Sequence, residues 1–283
     1  MVSVLYSFSF NGQVFGGAGS PYQIQSVEGL ESLPEIRRQD DNRGYADGMF
    51  SGRDFLGGRS IFITFLTLGS GSNSAQENYN TIQSYLLPQT SGTTPLFFML
   101  DGTQQYINAR VRGLRTTLDP NYTYGYIVSQ VEFFCPDPSY YNANDQTATL
   151  LYSPPTGRIY NRTYNLTYGG GSSVITTTIS NTGWATAYPT ITINGPITNP
   201  QIGSVTSGDS LLFDGTYSDT DFLEVDLYNK LITLNGVSAR NLLTSGTWFS
   251  APPGNSNFFL TGLAGSTLVN VTKAVVEWNS AYI

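Results

Sequence analysis

Apolar and polar residues alternate with a period of two along much of this chain, the spacing of strands that bury one face. Val2 to Phe10 alternates, Asn11-Gly12 supplies two residues tolerant of positive φ, and Gln13 to Phe15 resumes, which predicts a hairpin. Ser60 to Leu68 (SIFITFLTL) differs in being apolar on both sides. Ile61, Ile63 and Phe65 share one face, while Phe62, Leu66 and Leu68 share the other. Such a strand needs cover on both faces, from a second sheet, a helix or another subunit. One helix is expected directly after it. Ser74-Ala-Gln-Glu77 reads as a capping box, Tyr79, Ile82 and Leu86 recur at helical spacing, and Pro88 closes the run. Strands then return with PLFFML, a turn at Asp101-Gly102, and QQYINARVRGL. In the last of these Tyr106, Asn108, Arg110 and Arg112 fall on one face and Ile107, Ala109 and Val111 on the other. Tyr126 to Cys135 is a further buried-type strand, stopped by Pro136-Asp-Pro138 because proline cannot donate to a ladder.

The pattern shifts beyond about residue 140. Short apolar words (VITTTISN, PTITING, SLLFDG, FLEVDLYN, KLITLNG, NFFLTG) recur every 8 to 12 residues or so, the spacing of a sandwich or jelly roll. Asn194-Gly195, Asp214-Gly215 and Asn235-Gly236 mark turns between them. All three Trp lie in this half and most basic residues lie in the first. The expected domains are 1–140, a β-sandwich with one helix, and 141–283, a second β-sandwich. The fold class is mostly β. Between the first hairpin and Ser60, residues 28–59 carry most of the first half's charge and read as a long loop, or a loop with one short strand. Loops of that length in a compact domain are usually functional or packed on a partner.

Composition removes several kinds of chemistry. With no His and a single Cys, Cys135, the chain offers no zinc site built on His or paired Cys and no Ser-His or Cys-His nucleophile. The net charge is −7 and only Lys230 and Lys273 are lysines, so specific nucleic-acid binding is not expected, because that affinity comes from neutralising phosphates. No window reaches the roughly 18 apolar residues of a membrane span, so membrane insertion is not expected either. No P-loop or G-x-S-x-G occurs. The chain reads as a protein that binds or builds, with no enzyme activity and no cofactor.

Certain phrases carry a resemblance. NTGWATAYPTITING (181–195), DLYNKLITLNG (226–236), GTWFSAPPGNSNFFL (246–260) and the closing AVVEWNSAY occur in order, with FFCPDPSYY at the junction and GMFSGRDFLGGRSIFITF upstream. Together these resemble the distal tail protein (Dit) family of long-tailed bacteriophages. The resemblance implies an N-terminal β-sandwich that closes into a homo-hexameric ring, with a C-terminal galectin-like jelly roll projecting outward. It implies a structural adaptor of the tail tip, with self, the tail tube protein and the tail hub or tail-associated lysin as partners, and the tape measure and receptor-binding proteins beyond them. The ring would surround the channel through which the genome is ejected. The protein would then reside in the virion, after assembly in the host cytoplasm.

Candidate contacts follow from residue type. Arg37, Arg38, Arg43, Arg53 and Arg59 lie in or beside the long loop, and Arg110 and Arg112 crowd one strand. Arg outnumbers Lys eleven to two, which suits bidentate pairing with carboxylates between subunits. The alternative is a solvated loop with weak ion pairs. Trp184 and Trp248 are candidates for stacking on sugar rings, which would make the second domain a carbohydrate-binding module for the host envelope; the competing reading places them in a core or interface. Asp214, Asp219, Asp221, Glu224 and Asp226 read as a solvated hairpin face rather than a calcium loop, since their spacing does not fit an EF-hand. Cys135 is expected to be a buried, inert thiol.

Overall fold

The computed structural model describes residues 7–88, 92–100, 102–153, 174–262 and 272–283. The chain divides into two compact units, Met1–Ala143 and Asn144–Tyr282. In the first, the strands along the chain are β1 (Ser7–Phe10), β2 (Gln13–Gly16), β3 (Tyr22–Glu28), β4 (Ile36–Arg37), β5 (Asp41–Asn42), β6 (Met49–Phe50), β7 (Phe55–Leu56) and β8 (Arg59–Leu68). Helix α1 (Ser72–Tyr85) follows, then β9 (Thr94–Leu100), β10 (Thr103–Thr117), β11 (Tyr126–Cys135) and β12 (Tyr140–Asn142).

The first hairpin forms as expected over its described residues. Asn11 (φ 50°) and Gly12 (φ 81°) take the left-handed conformations that a two-residue turn requires, and Phe8 faces Phe15. Residues 2–6 and Asp101 lie outside the described residues. The main sheet runs β2-β1-β9-β10-β11-β8-β3, with β12 beside β10. It curls on itself. Phe10 of β1 meets Phe133 of β11 at 4.9 Å between ring centroids although two strands separate them in the sheet. Period-2 alternation decides which side chains point inward: Ile61, Ile63, Phe65, Ile107, Ala109, Ile127, Val131 and Phe133 are all fully buried. A bulge between Val111 and Gly113 shifts β10 against β11, so that Leu114 again opposes Val131.

The helix differs from its expected start. It begins at Ser72 with Gly71 as its cap and no side-chain cap bond, so Ser74 sits inside the first turn and its hydroxyl donates to the Gly71 carbonyl at 3.4 Å. The capping box does not form. The reason is tertiary: Gly69 donates to the Gly125 carbonyl at 2.9 Å, and a Cβ at Gly69 would lie 2.2 Å from the Ala75 nitrogen, so the chain turns at once into helix. Ala75, Ile82 and Leu86 are buried. Tyr22 donates to the Asn78 carbonyl (2.9 Å), Asn78 to the Leu68 carbonyl (2.7 Å) and Thr116 to the Tyr79 hydroxyl (2.9 Å), all of which pin α1 over the inner face. The outer face of β8, with Phe62, Leu66 and Leu68, stays half-buried.

The second unit comprises β13 (Gln146–Ser153), β14 (Thr176–Asn181), β15 (Thr190–Asn194), β16 (Ile197–Thr198), β17 (Gln201–Ser204), β18 (Ser210–Phe213), β19 (Thr216–Tyr217), β20 (Phe222–Asp226), β21 (Leu231–Leu234), β22 (Val237–Ser238), β23 (Leu243–Gly246), β24 (Gly254–Thr261) and β25 (Thr272–Trp278). One sheet runs β22-β21-β20-β15-β25-β13; the other runs β24-β17-β18-β23 with β14 on the far side of β24. Strand β13 joins them, pairing antiparallel with β25 and, at its end, parallel with β24. Between the sheets lie Tyr152, Ile191, Ile193, Ile202, Phe213, Val225, Phe258, Leu260 and Val276, with Phe249 edge-on to Phe258 at 5.1 Å. Among the described residues the class is mostly β with one α-helix, as the alternation predicts.

Candidate functional site

Residues 28–59 form neither a plain loop nor a loop with one strand. Two short ladders are stacked in one hairpin arm: β4 with β7 (Ile36 opposite Leu56, Arg37 opposite Phe55) and β5 with β6 (Asp41 opposite Phe50, Asn42 opposite Met49). Every residue from Glu35 to Leu56 is exposed. The apolar side chains are exposed with the rest; Phe50 is 60% exposed and Met49 53%. Pairing satisfies part of the arm's backbone, yet no core lies beneath it among the described residues.

The arm's arginines lie on its rings. Arg37 and Arg53 sit over Phe55 at 5.9 and 5.2 Å, and Arg43 sits over Phe50 at 5.2 Å. A guanidinium is attracted to the negative face of a ring, and at exposed sites the pair contributes about 0.5–1 kcal/mol. Arg38 is exposed beside them. On the arm itself, Asp40 accepts from the Gly52 amide at 2.9 Å, which ties the middle of the hairpin together.

Arg59 behaves differently from the other arginines of this region. It is 2% exposed, donates through Nη1 to the Gly29 carbonyl at 3.2 Å and to the Leu30 carbonyl, and lies over the Tyr140 ring at 5.8 Å. Its Nε and Nη2 have no hydrogen-bond partner among the described residues. Burial lowers its pKa, since the charged form is the one that loses water. Expected as a contact residue, Arg59 is instead an internal clamp on the root of the arm, because odd positions of β8 point inward. Gly29 beside it has φ +86°, and a Cβ there would lie 2.2 Å from the Ser60 carbonyl oxygen. Cys135 opposes Arg59 across the ladder; burial pushes its thiol up to about 12.

Arg110 and Arg112 converge on the outer face of the sheet, over Phe134 at 5.4 and 3.5 Å. Around the corner, the unpaired edge of β3 borders a groove of about 830 Å³ lined by Phe8, Ile24, Val27, Leu30 and Phe62, with Glu28 and Glu31 at its rim.

In the second unit Asn181 is 1% exposed and makes four hydrogen bonds. Its Nδ2 donates to the carbonyls of Ala185 (2.7 Å) and Ala251 (3.0 Å), and its Oδ1 accepts from the amides of Gly183 (3.1 Å) and Ala281 (3.3 Å). That junction holds Asn181-Thr-Gly-Trp184 in place and presents Trp184, 63% exposed, edge-on to Tyr282 at 4.7 Å. Trp248 is half-buried under Arg240 at 4.9 Å, and Trp278 is buried with its indole N–H donating to the Ser180 carbonyl.

Three of the four partners of Asn181 lie in a stretch that matches a known family model. Residues 182–279 match the model of the siphovirus-type tail component, C-terminal domain. Over the whole chain, the fold matches the SPP1 Dit (gp 19.1) protein, described as a paradigm of hub adsorption apparatus in phages infecting Gram-positive hosts. The TM-score is 0.70 at 14% identity, covering 99% of this chain and 100% of that one. It also matches a chain of the phage P2 baseplate in its activated conformation with calcium (TM-score 0.50, 12% identity, 97% of each chain). The same baseplate with strontium matches at 0.51 and 12%, again over 97% of each chain. No curated protein matches the sequence. The likeness to the distal tail protein is thus one of fold along the full chain, with the family model matching residues 182–279.

In the second unit two of the acidic residues serve turns. Asp221 accepts from the Ser218 amide and hydroxyl (2.7 Å each) and from Asn235 (2.9 Å), which lowers its pKa. Asp226 accepts from the amides of Tyr228 and Asn229. Among the described residues no group of three or more His, Cys, Asp or Glu side chains could hold a metal ion, and no helix is long and apolar enough to cross a membrane. Sequence reasoning selected the arm's arginines but passed over Phe50 and Phe55, the rings that organise them. The signal was present: Met49-Phe50 and Phe55-Leu56 are apolar pairs in an otherwise charged segment.

Proposed function

We propose that this protein is a structural adaptor of a siphophage tail tip. It assembles as a homo-hexameric ring that joins the tail tube to the hub or tail-associated lysin and surrounds the channel of genome ejection. The observation that carries this reading is the end-to-end correspondence of both sandwich units with a protein described as a hub adsorption apparatus. The exposed arm supports it, since a fully wetted hairpin bearing Met49, Phe50 and Phe55 has the composition of a surface meant to be covered. In this reading the first unit, with Arg37, Arg38, Arg43 and Arg53 on its arm and Arg110 and Arg112 on its sheet, forms the ring, while the second projects outward as a galectin-like domain. The protein acts by geometry and not by chemistry. A net charge of −7 suits a channel wall that phosphate must pass without adhering.

Light scattering on the purified chain with negative-stain imaging tests this. A hexamer of about six times the 30.8 kDa chain, with a central channel, is the expected result; a monomer at 100 µM or so overturns it. A second reading, glycan binding by the outward domain, draws on Trp184, which is 63% exposed and edge-on to Tyr282. Silence of the full chain on a glycan array removes that reading and leaves the first untouched.

A further inference from the structure

The outer face of β8, β10 and β11 and the hairpin arm are two unsatisfied surfaces of the same unit. Phe62, Leu66, Val128 and Phe134 lie half-buried on that face, with the Thr64–Gln130 pair between them, flanked by exposed Arg110, Arg112 and Arg115. Its one carboxylate at the centre, Glu132, already accepts from the Ser60 hydroxyl. The arm carries a slight excess of the opposite sign, five carboxylates against four guanidiniums. Its guanidiniums at 37, 43 and 53 lie over its own rings, as Arg110 and Arg112 lie over Phe134, and Arg38 is exposed; the carboxylates of Glu35, Asp41, Asp47 and Asp54 are exposed and have no hydrogen-bond partner among the described residues. Exposed Ile36, Met49 and Leu56 supply apolar area of a size to meet Phe62 and Leu66. The arm is not packed on its own sheet, since every residue from Glu35 to Leu56 is exposed.

We infer that the arm of one copy lies across the outer face of β8, β10 and β11 of a second copy, its carboxylates against Arg110, Arg112 and Arg115 and its apolar side chains over Phe62 and Leu66. This deepens the ring reading and rests on it. Two different surfaces meet, so the contact is heterologous and closes into a ring when its rotation divides the circle. An arm of this length supplies on the order of the 20–30 residues per side that a stable interface uses. Carboxylate pairing with arginine is bidentate and directional, so it sets register as well as attraction.

Two measurements on the full chain test the inference. Phe50 is replaced by the photo-crosslinker benzoylphenylalanine, isotope-labelled and unlabelled copies are mixed, and the crosslinked peptides are mapped. Adducts that join different copies and fall on residues 60–68, 110–115 or 128–134 are expected; adducts confined to one copy, or lying elsewhere on the partner, overturn the contact. In parallel, Asp41→Arg with Asp47→Arg on the arm, and Arg110→Glu with Arg112→Glu on the face, are each expected to weaken assembly tenfold or more. The chain carrying all four changes is expected to recover at least part of that loss. If wild-type and every variant form the same hexamer, the arm contact fails and the ring stands. If the wild-type chain is monomeric, both fail.

Discussion

Strand β8 contains two phenylalanines three residues apart that differ in little except the face they occupy, and replacing each by alanine separates folding from surface. Phe65 is fully buried, with its ring edge-on to Phe15 at 5.4 Å and to Tyr22 at 6.4 Å. Removing it deletes both aromatic pairs and leaves a cavity beneath β2. Substitutions of this kind cost about 3–5 kcal/mol. For a unit of this size that lowers its melting temperature by roughly 10–20 °C. Phe62 points outward and is half-buried, so Phe62→Ala forfeits only part of a phenylalanine's transfer free energy, about 1 kcal/mol, or roughly 3–5 °C. Calorimetry on the full chain reads both. All three Trp lie in the second unit, so tryptophan fluorescence identifies which transition belongs to it and leaves the other to the first. The inside-out assignment of β8 predicts a gap of at least about 2 kcal/mol between the two variants. Equal losses would refute it, because the outer ring would then have to be packed as tightly as the inner one.

Further outcomes follow from individual groups. Asn181→Ala strands two buried carbonyls and two buried amides, and is expected to destabilise the second unit by about 2–4 kcal/mol in urea unfolding followed by tryptophan fluorescence. Gly29→Ala forces a Cβ toward the Ser60 carbonyl in a left-handed conformation; limited proteolysis should then cleave the arm root several-fold faster without unfolding the sheet. The Cys135 thiol, raised from its ordinary value of 9.0 to about 12, holds its proton more tightly when folded. That contribution is present below pH 9 and is lost as pH rises from 9 toward 12, and thiol reagents should label Cys135 at pH 8 only at the rate of unfolding. Asp221 has a lowered pKa, so its contribution is present above its ordinary value of 3.8 and is lost as pH falls below it. Asp221→Asn should flatten the acid limb of the second unit's stability curve.

Alternation alone determined much of this protein. The inward sets on β8, β10 and β11, the hairpin at Asn11-Gly12 and the mostly-β character of both halves follow from a side-chain period that is a local property of any strand. Absent residue types are just as local, which is why metal sites built on histidine and histidine-assisted nucleophiles could be set aside at once. Tertiary structure decided the rest. The capping box at Ser74 lost to a turn closed by Gly69 and Gly125, residues more than fifty positions apart. Arg59 became an internal clamp because its place in the β8 alternation outweighs its charge, once the carbonyls of Gly29 and Leu30 are brought within reach. Asn181 gained its role from Ala185, Ala251 and Ala281, whose backbone groups look like any others in the sequence. The arm took its form from ladders of two residues each, too short to leave a period, and its rings organise its arginines only after those ladders bring Arg37 to Phe55. A local pattern can tell a chain which way its side chains point; which distant backbone groups then meet them depends on closing the curled sheet.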